Sequence, residues 1–178
     1  MGKIKLKKLI NEAFENVGGI STLKPIHNLD GSFADNLISE KEIISEATRW
    51  NVAIELPNGK VTAVYGHYDG YPQWVGKILK KHYTNPSKIK QLIKLGKNGI
   101  STLDKEIKGG KGHSFDSPVD GETVFYGRDR GEKGNMSSTY KSKEEFGKRF
   151  GEEFGYVWSV KEKKWYYFDY KGREKSLW

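Results

Sequence analysis

Seven residues, Gly66-His67-Tyr68-Asp69-Gly70-Tyr71-Pro72, put an imidazole, a carboxylate and two phenols where an alternating segment gives way to a helix-like one. Backbone is exposed at such junctions and side chains converge there. His67 and Asp69 are two apart, so an extended conformation sets them on one face. His67 would then act as a base oriented by Asp69, or the two as ligands. A third reading makes the loop a contact surface through His67, Tyr68, Asp69 and Tyr71. Ordinary turn chemistry competes with all three: Asp69-Gly70 is a common turn pair, Asp69 suits a helix cap, and Tyr71-Pro72 suits a helix start.

Arg128-Asp129-Arg130 follows a second alternating segment and offers a different chemistry. Two arginines flanking an aspartate can grip a phosphate or carboxylate by paired hydrogen bonds, with Asp129 steadying one guanidinium. The competing reading is a surface ion-pair cluster of little energetic worth. A third constellation lies near the C-terminal end, where Trp158, Trp165 and Tyr167 stand among Lys163 and Lys164. Rings interleaved with lysines suit a single-stranded nucleic acid, whose bases stack while its phosphates meet ammonium groups. Strand alternation sends half of these rings inward, so core packing competes here as well.

Gly109-Gly110-Lys111-Gly112 lacks the spacing of a phosphate-binding loop, and no nucleophile-elbow, zinc-protease or dinucleotide signature occurs. The absence of cysteine closes disulfides, thiolate metal sites and thiol nucleophiles together. His27, His67, His82 and His113 are scattered without an i, i+4 pair, so neither a metal nor a cofactor is expected. Thirty-one basic against 23 acidic side chains leave a net charge of +8, which favours an anionic ligand, a nucleic acid or an acidic host protein as partner. No apolar run is long enough to span a membrane and no secretory pattern opens the chain, so an intracellular, soluble protein is expected.

These residues need a scaffold, and 178 residues suffice for one well-cored domain. With 35% apolar and 13% aromatic residues, its core is expected to be rich in rings. Ile4, Leu6, Leu9, Ile10, Phe14 and Val17 fall on one stripe of a basic amphipathic helix over 1–17. A connector over 18–38 and a single domain over 39–178 follow, the domain opening on a capping box at Ser39-Glu40-Lys41-Glu42. Val52 to Leu56 and Val61 to Tyr65 alternate around Pro57-Asn58-Gly59, the clearest hairpin signal in the chain. Helices are expected over Gln73–Tyr83 and from Pro86 to Gly96, the latter capped by Thr84. A polar loop over 109–121 is either disordered or a lid. A third strand over Thr123–Tyr126, a helix headed by Ser142 with Phe146, Phe150 and Phe154 as its ridge, and a closing hairpin over Tyr156–Tyr170 complete the pattern. The expected fold is α+β, with an antiparallel sheet of about five strands, two of its pairings hairpins, and three to four helices.

The segment from Trp50 to Leu79 resembles a family of small uncharacterised bacteriophage and prophage proteins. An Ile-Glu strand, a Gly turn, a Tyr-x-His-x-Asp-Gly-Tyr loop and a Val-Gly helix recur there. The Thr84–Gly96, Tyr126–Glu132 and Tyr156–Tyr167 segments are similar too, so the likeness covers roughly Trp50 to Tyr170. It implies a setting, the cytoplasm of an infected bacterium, and no mechanism. The expected function is therefore a phage accessory protein without catalysis, a module that modifies host physiology or counters a defence by binding a host protein, nucleotide or nucleic acid. The alternatives are an enzyme on a phosphate-bearing substrate, using His67 and Asp69 with Arg128 and Arg130, and a virion protein whose rings bury against neighbours.

Overall fold

The computed structural model of the protein describes residues 48–177. The expected helix over 1–17, the connector over 18–38 and the helix headed by Ser39 lie outside the described residues. Strands β1 (Trp50–Glu55) and β2 (Val61–Gly66) pair antiparallel, Trp50 opposite Gly66 and Glu55 opposite Val61. Gly59 closes their turn at φ +79°, a left-handed conformation that costs glycine nothing.

A π-helical turn (Pro72–Gly76) runs into helix α1 (Lys77–His82). Helix α2 (Pro86–Leu95) follows, with Pro86 at its first position and Ile89, Leu92 and Ile93 buried. Its cap is Asn85 rather than Thr84, the Asn85 side chain accepting from Ser87 N–H at 2.8 Å. Strand β3 (Ile100–Thr102), a long loop, strand β4 (Val124–Phe125) and the short helix α3 (Tyr126–Arg130) come next. Strand β5 (Ser137–Tyr140) leads to helix α4 (Lys143–Arg149), capped by Ser142 as expected, its hydroxyl accepting from Glu145 N–H at 3.2 Å. Strands β6 (Phe154–Ser159), β7 (Lys164–Asp169) and β8 (Glu174–Ser176) close the chain.

The sheet runs β4-β3-β2-β1-β6-β7-β8, with β5 sharing an edge of β2. It is an eight-stranded mixed sheet, which corrects the expected five antiparallel strands. Its α+β character and its four helices within the described residues do match. Two pairings are parallel, β1 with β6 and β2 with β3. The first arises because the chain crosses between its two hairpins instead of laying them side by side antiparallel. Strands β3, β5 and β8 were invisible because three or four residues are too few for alternation to register, and Ser-Ser-Thr-Tyr in β5 reads as a polar loop.

Both faces of the sheet are covered. Trp50, Val52, Ile54, Tyr156, Trp158 and Trp165 on one face pack under α1 and α2 with Leu79, Ile89 and Leu92. Ala53, Val61, Ala63, Val157 and Phe168 on the other meet Phe146 of α4 and Phe150 beyond it. Phe154, expected as the third ring of that ridge, instead begins β6. No helix among the described residues is long and apolar enough to cross a membrane.

Candidate functional site

The loop after β2 owes its shape to Trp50. A Cβ at Gly66 would lie 2.2 Å from the Trp50 ring, and one at Gly70 2.7 Å from it, so both positions need glycine for the close approach. The indole N–H donates to Tyr68 O at 2.9 Å, and Tyr156 O–H donates to Gly70 O at 2.7 Å. His67 and Tyr68 N–H groups extend the pairing to β3, donating to Ile100 O and Ser101 O at 2.9 and 3.1 Å. His67 thus sits on fixed backbone, although it is outside any regular element.

His67 and Asp69 do not meet. Asp69 turns left-handed, at φ +57°, which ends the extended run that would have aligned them, and its side chain faces solvent. Nor does it cap the following helix, whose start carries no side-chain cap. The partner of His67 is Tyr65, two residues earlier on the same face, with its hydroxyl 2.7 Å from Nδ1. Burial, then the charge of Arg49, lowers the His67 pKa and favours the neutral ring. The Tyr65 hydroxyl can donate to Nδ1, and in that tautomer the neutral His67 ring carries its proton on Nε2 as a donor. The Tyr68 ring stands edge-on to His67 at 4.4 Å and Tyr71 leans on Phe154 at 5.9 Å. Both tyrosines, with Trp74, are more than two-fifths exposed.

Sheet register places the neighbours. Asn51 of β1 lies opposite Tyr65 of β2. Arg49 precedes Trp50 and His67 follows Gly66, each one residue beyond the last pair of that ladder. Around this corner opens a cavity of about 610 Å³, lined among others by Asn51, Tyr65, His67, Tyr126, Arg130 and Glu152. Burial raises the pKa of Tyr65, with Glu152 adding to it, and burial raises that of Tyr126. Glu152 is raised by burial and by Glu153, against an opposing Arg49. A second cavity of about 720 Å³ shares Phe150 and Glu152 and adds Arg49, Lys148 and Lys171.

The two arginines of the Arg128-Asp129-Arg130 run part company. They lie on helix α3 rather than in a strand-end loop. Arg130 lines the cavity that holds His67, its guanidinium 3.1 Å from Glu132 and over the Phe115 ring at 4.8 Å. Arg128 turns to the loop over 109–121, donating to Ile107 O at 2.6 Å, Thr123 O at 2.8 Å and both Asp129 oxygens at 2.6 and 2.9 Å. Val119 N–H donates to Nδ1 of His113 at 3.1 Å, which leaves Nε2 as the N–H facing Asp129 at 3.2 Å. Burial acts to raise the Asp129 carboxyl, but Arg128, the Phe125 N–H and His113 outweigh it and hold the carboxyl below its ordinary range. Arg128 therefore ties both ends of that loop to α3, while His113 beside Asp129 and the Phe115 N–H, which donates to Asp129 O at 3.2 Å, hold its middle, and the Arg128 guanidinium is taken up by these partners.

The aromatic hairpin is also divided from its proposed use. Trp158 and Trp165 are each 3% exposed and pack edge to face at 5.5 Å inside the core. Bases cannot stack on them. Tyr167 is half-buried against Tyr156, while Lys163 and Lys164 remain at the surface. Tyr65, Tyr126 and Glu152 were missed from sequence. Alternation two residues before His67 was a usable signal for Tyr65; Glu152 had none. Comparison with protein-family models, curated proteins and solved structures returns no match.

Proposed function

We propose that this is a bacteriophage accessory protein that works as a binding module, holding an anionic small ligand in the cavity between β2, α3 and the α4–β6 link. One observation carries the reading: His67 and Arg130 line one cavity, and the side-chain hydrogen bond of His67 among the described residues is the one Nδ1 makes with Tyr65, which leaves Nε2 to a ligand. A neutral imidazole donor and an arginine fork suit a phosphate or carboxylate. The phage setting rests on the loop resemblance and on nothing else.

Titration calorimetry with inorganic pyrophosphate at low and near-physiological salt tests it. Binding that falls about tenfold in both Arg130→Ala and His67→Ala supports the site. Binding unaltered by either substitution places the anion elsewhere and refutes it.

The tight Tyr65–His67 pair favours one second reading, an enzyme with His67 as a proton carrier. Asp69 and Arg128 have no part in it, since neither reaches His67. Loss of a phosphate-releasing or phosphate-transferring turnover in His67→Ala, with the fold intact, is the result that reading requires.

A further inference from the structure

The cavity has an acidic wall that anion binding does not use. Glu152, in the link between α4 and β6, faces the same space as His67, and its carboxylate makes no hydrogen bond or ion pair among the described residues. It is close enough to bear on the Tyr65 hydroxyl. Between the walls lies Asn51, 8% exposed. Its Nδ2 donates to Phe150 O at 3.0 Å, so the side chain is held with Oδ1 as its remaining acceptor.

Sheet order separates these groups laterally. His67, Tyr126 and Arg130 stand on the β2–α3 flank, Asn51 on the central strand, and Glu152 ahead of β6. Glu132 is already paired with Arg130 on the first flank, so the acceptors left without a partner, Glu152 and Asn51 Oδ1, lie toward β1 and β6. A simple anion satisfies the donors and leaves these acceptors unpaired, whereas a ligand with an anionic end and an amino end satisfies both. The cavity, about 610 Å³, falls in the range that holds a drug-sized molecule and exceeds what a free amino acid fills. Tyr65, Tyr126 and Phe150 are among its lining residues and bring aromatic surface to it.

We infer that the cavity takes a mononucleotide whose base carries an exocyclic amino group, with the phosphate toward Arg130 and His67 and the amino group toward Glu152 and Asn51 Oδ1. This rests on the anion site proposed above. Glu132, paired with Arg130, shares that guanidinium with the phosphate. A base with a carbonyl in place of the amino group would set an acceptor where Glu152 needs a donor and would offer only its ring N–H, one position away, which weighs against that ligand.

Titration of the full chain with AMP against IMP, and CMP against UMP, tests this point, because the bases of each pair differ by amino versus carbonyl and by the proton that the carbonyl member carries on the adjacent ring nitrogen. The amino member is expected to bind roughly tenfold or more tightly in at least one pair. Glu152→Gln, whose amide donates as well as accepts, is expected to shrink that ratio to within about threefold. No preference in either pair, or a preference that survives Glu152→Gln, overturns the inference, and pyrophosphate binding then shows that the anion site still stands. If neither nucleotides nor pyrophosphate bind, both fall.

Discussion

Replacing Arg128 with alanine removes the side chain that ties α3 to the loop over 109–121. The guanidinium donates to Ile107 O, Thr123 O and Asp129, and those partners are themselves buried: Ile107 is 3% exposed, Thr123 fully buried, the Asp129 side chain 4% exposed. Water cannot readily reach what the substitution strands. Breaking a buried pair by deleting one partner typically costs about 3–5 kcal/mol. The Arg128 side chain keeps 23% of its surface in solvent, which places the expected loss near the bottom of that range, about 3 kcal/mol. Urea denaturation should show the midpoint falling at unchanged slope, and trypsin should cut at Lys111 faster in the variant. Arg130→Ala is the matched control. Its side chain is 54% exposed and pairs only at the surface, so under about 1 kcal/mol is expected. A loss below about 1 kcal/mol for Arg128→Ala, with Lys111 no more accessible, would refute the latch.

The same cluster predicts an acid limb. The Asp129 carboxyl is depressed in the folded protein below 3.8, so its contribution to stability is present above that value and is lost as pH falls through the depressed one. Asp129→Asn should be less stable near neutrality and flatter in acid, and superimposable melting-temperature profiles would count against it. Gly66→Ala drives a methyl to within 2.2 Å of the Trp50 ring, and overpacking of this kind costs about 1–3 kcal/mol or more; a thermal melt unchanged from the parent would contradict the packing described. Two tryptophans make a paired test. Trp165 Nε1 donates to Tyr83 O at 2.8 Å, while Trp158 Nε1 is buried without a partner among the described residues. Trp165→Phe should therefore cost about 1–2 kcal/mol more than Trp158→Phe, and equal costs would show that the hydrogen bond contributes nothing.

The two hairpins were legible because β1–β2 and β6–β7 have six residues each, enough for alternation to declare itself. The order in which they join was not. Parallel pairing of β1 with β6 depends on contacts a hundred residues apart in sequence, which no local pattern carries. The site was half legible for a related reason. His67 and Arg130 drew attention by type and position, but their neighbours come from four other segments. Asp69 misled because spacing of two implies a shared face only while the backbone stays extended, and a left-handed turn at that residue ends the extension. Arg128 and Arg130 looked equivalent in a string of letters. A helical turn aims them apart, one into the fold and one into the cavity.

The Trp50 ring wedged beneath Gly66 and Gly70 separates two kinds of position within seven residues. Both glycines and the indole form a closed geometric set, in which any one change forces the others. His67 and Tyr68 lie between them with side chains that touch little of the core, whereas Asp69, left-handed at φ +57°, is restricted by its backbone. Descendants of this chain can exchange His67 and so change which ligand is recognised while the frame stands. Among sequences sharing this frame, the tryptophan and the two glycines should mark ancestry, and the residue at position 67 should mark diet.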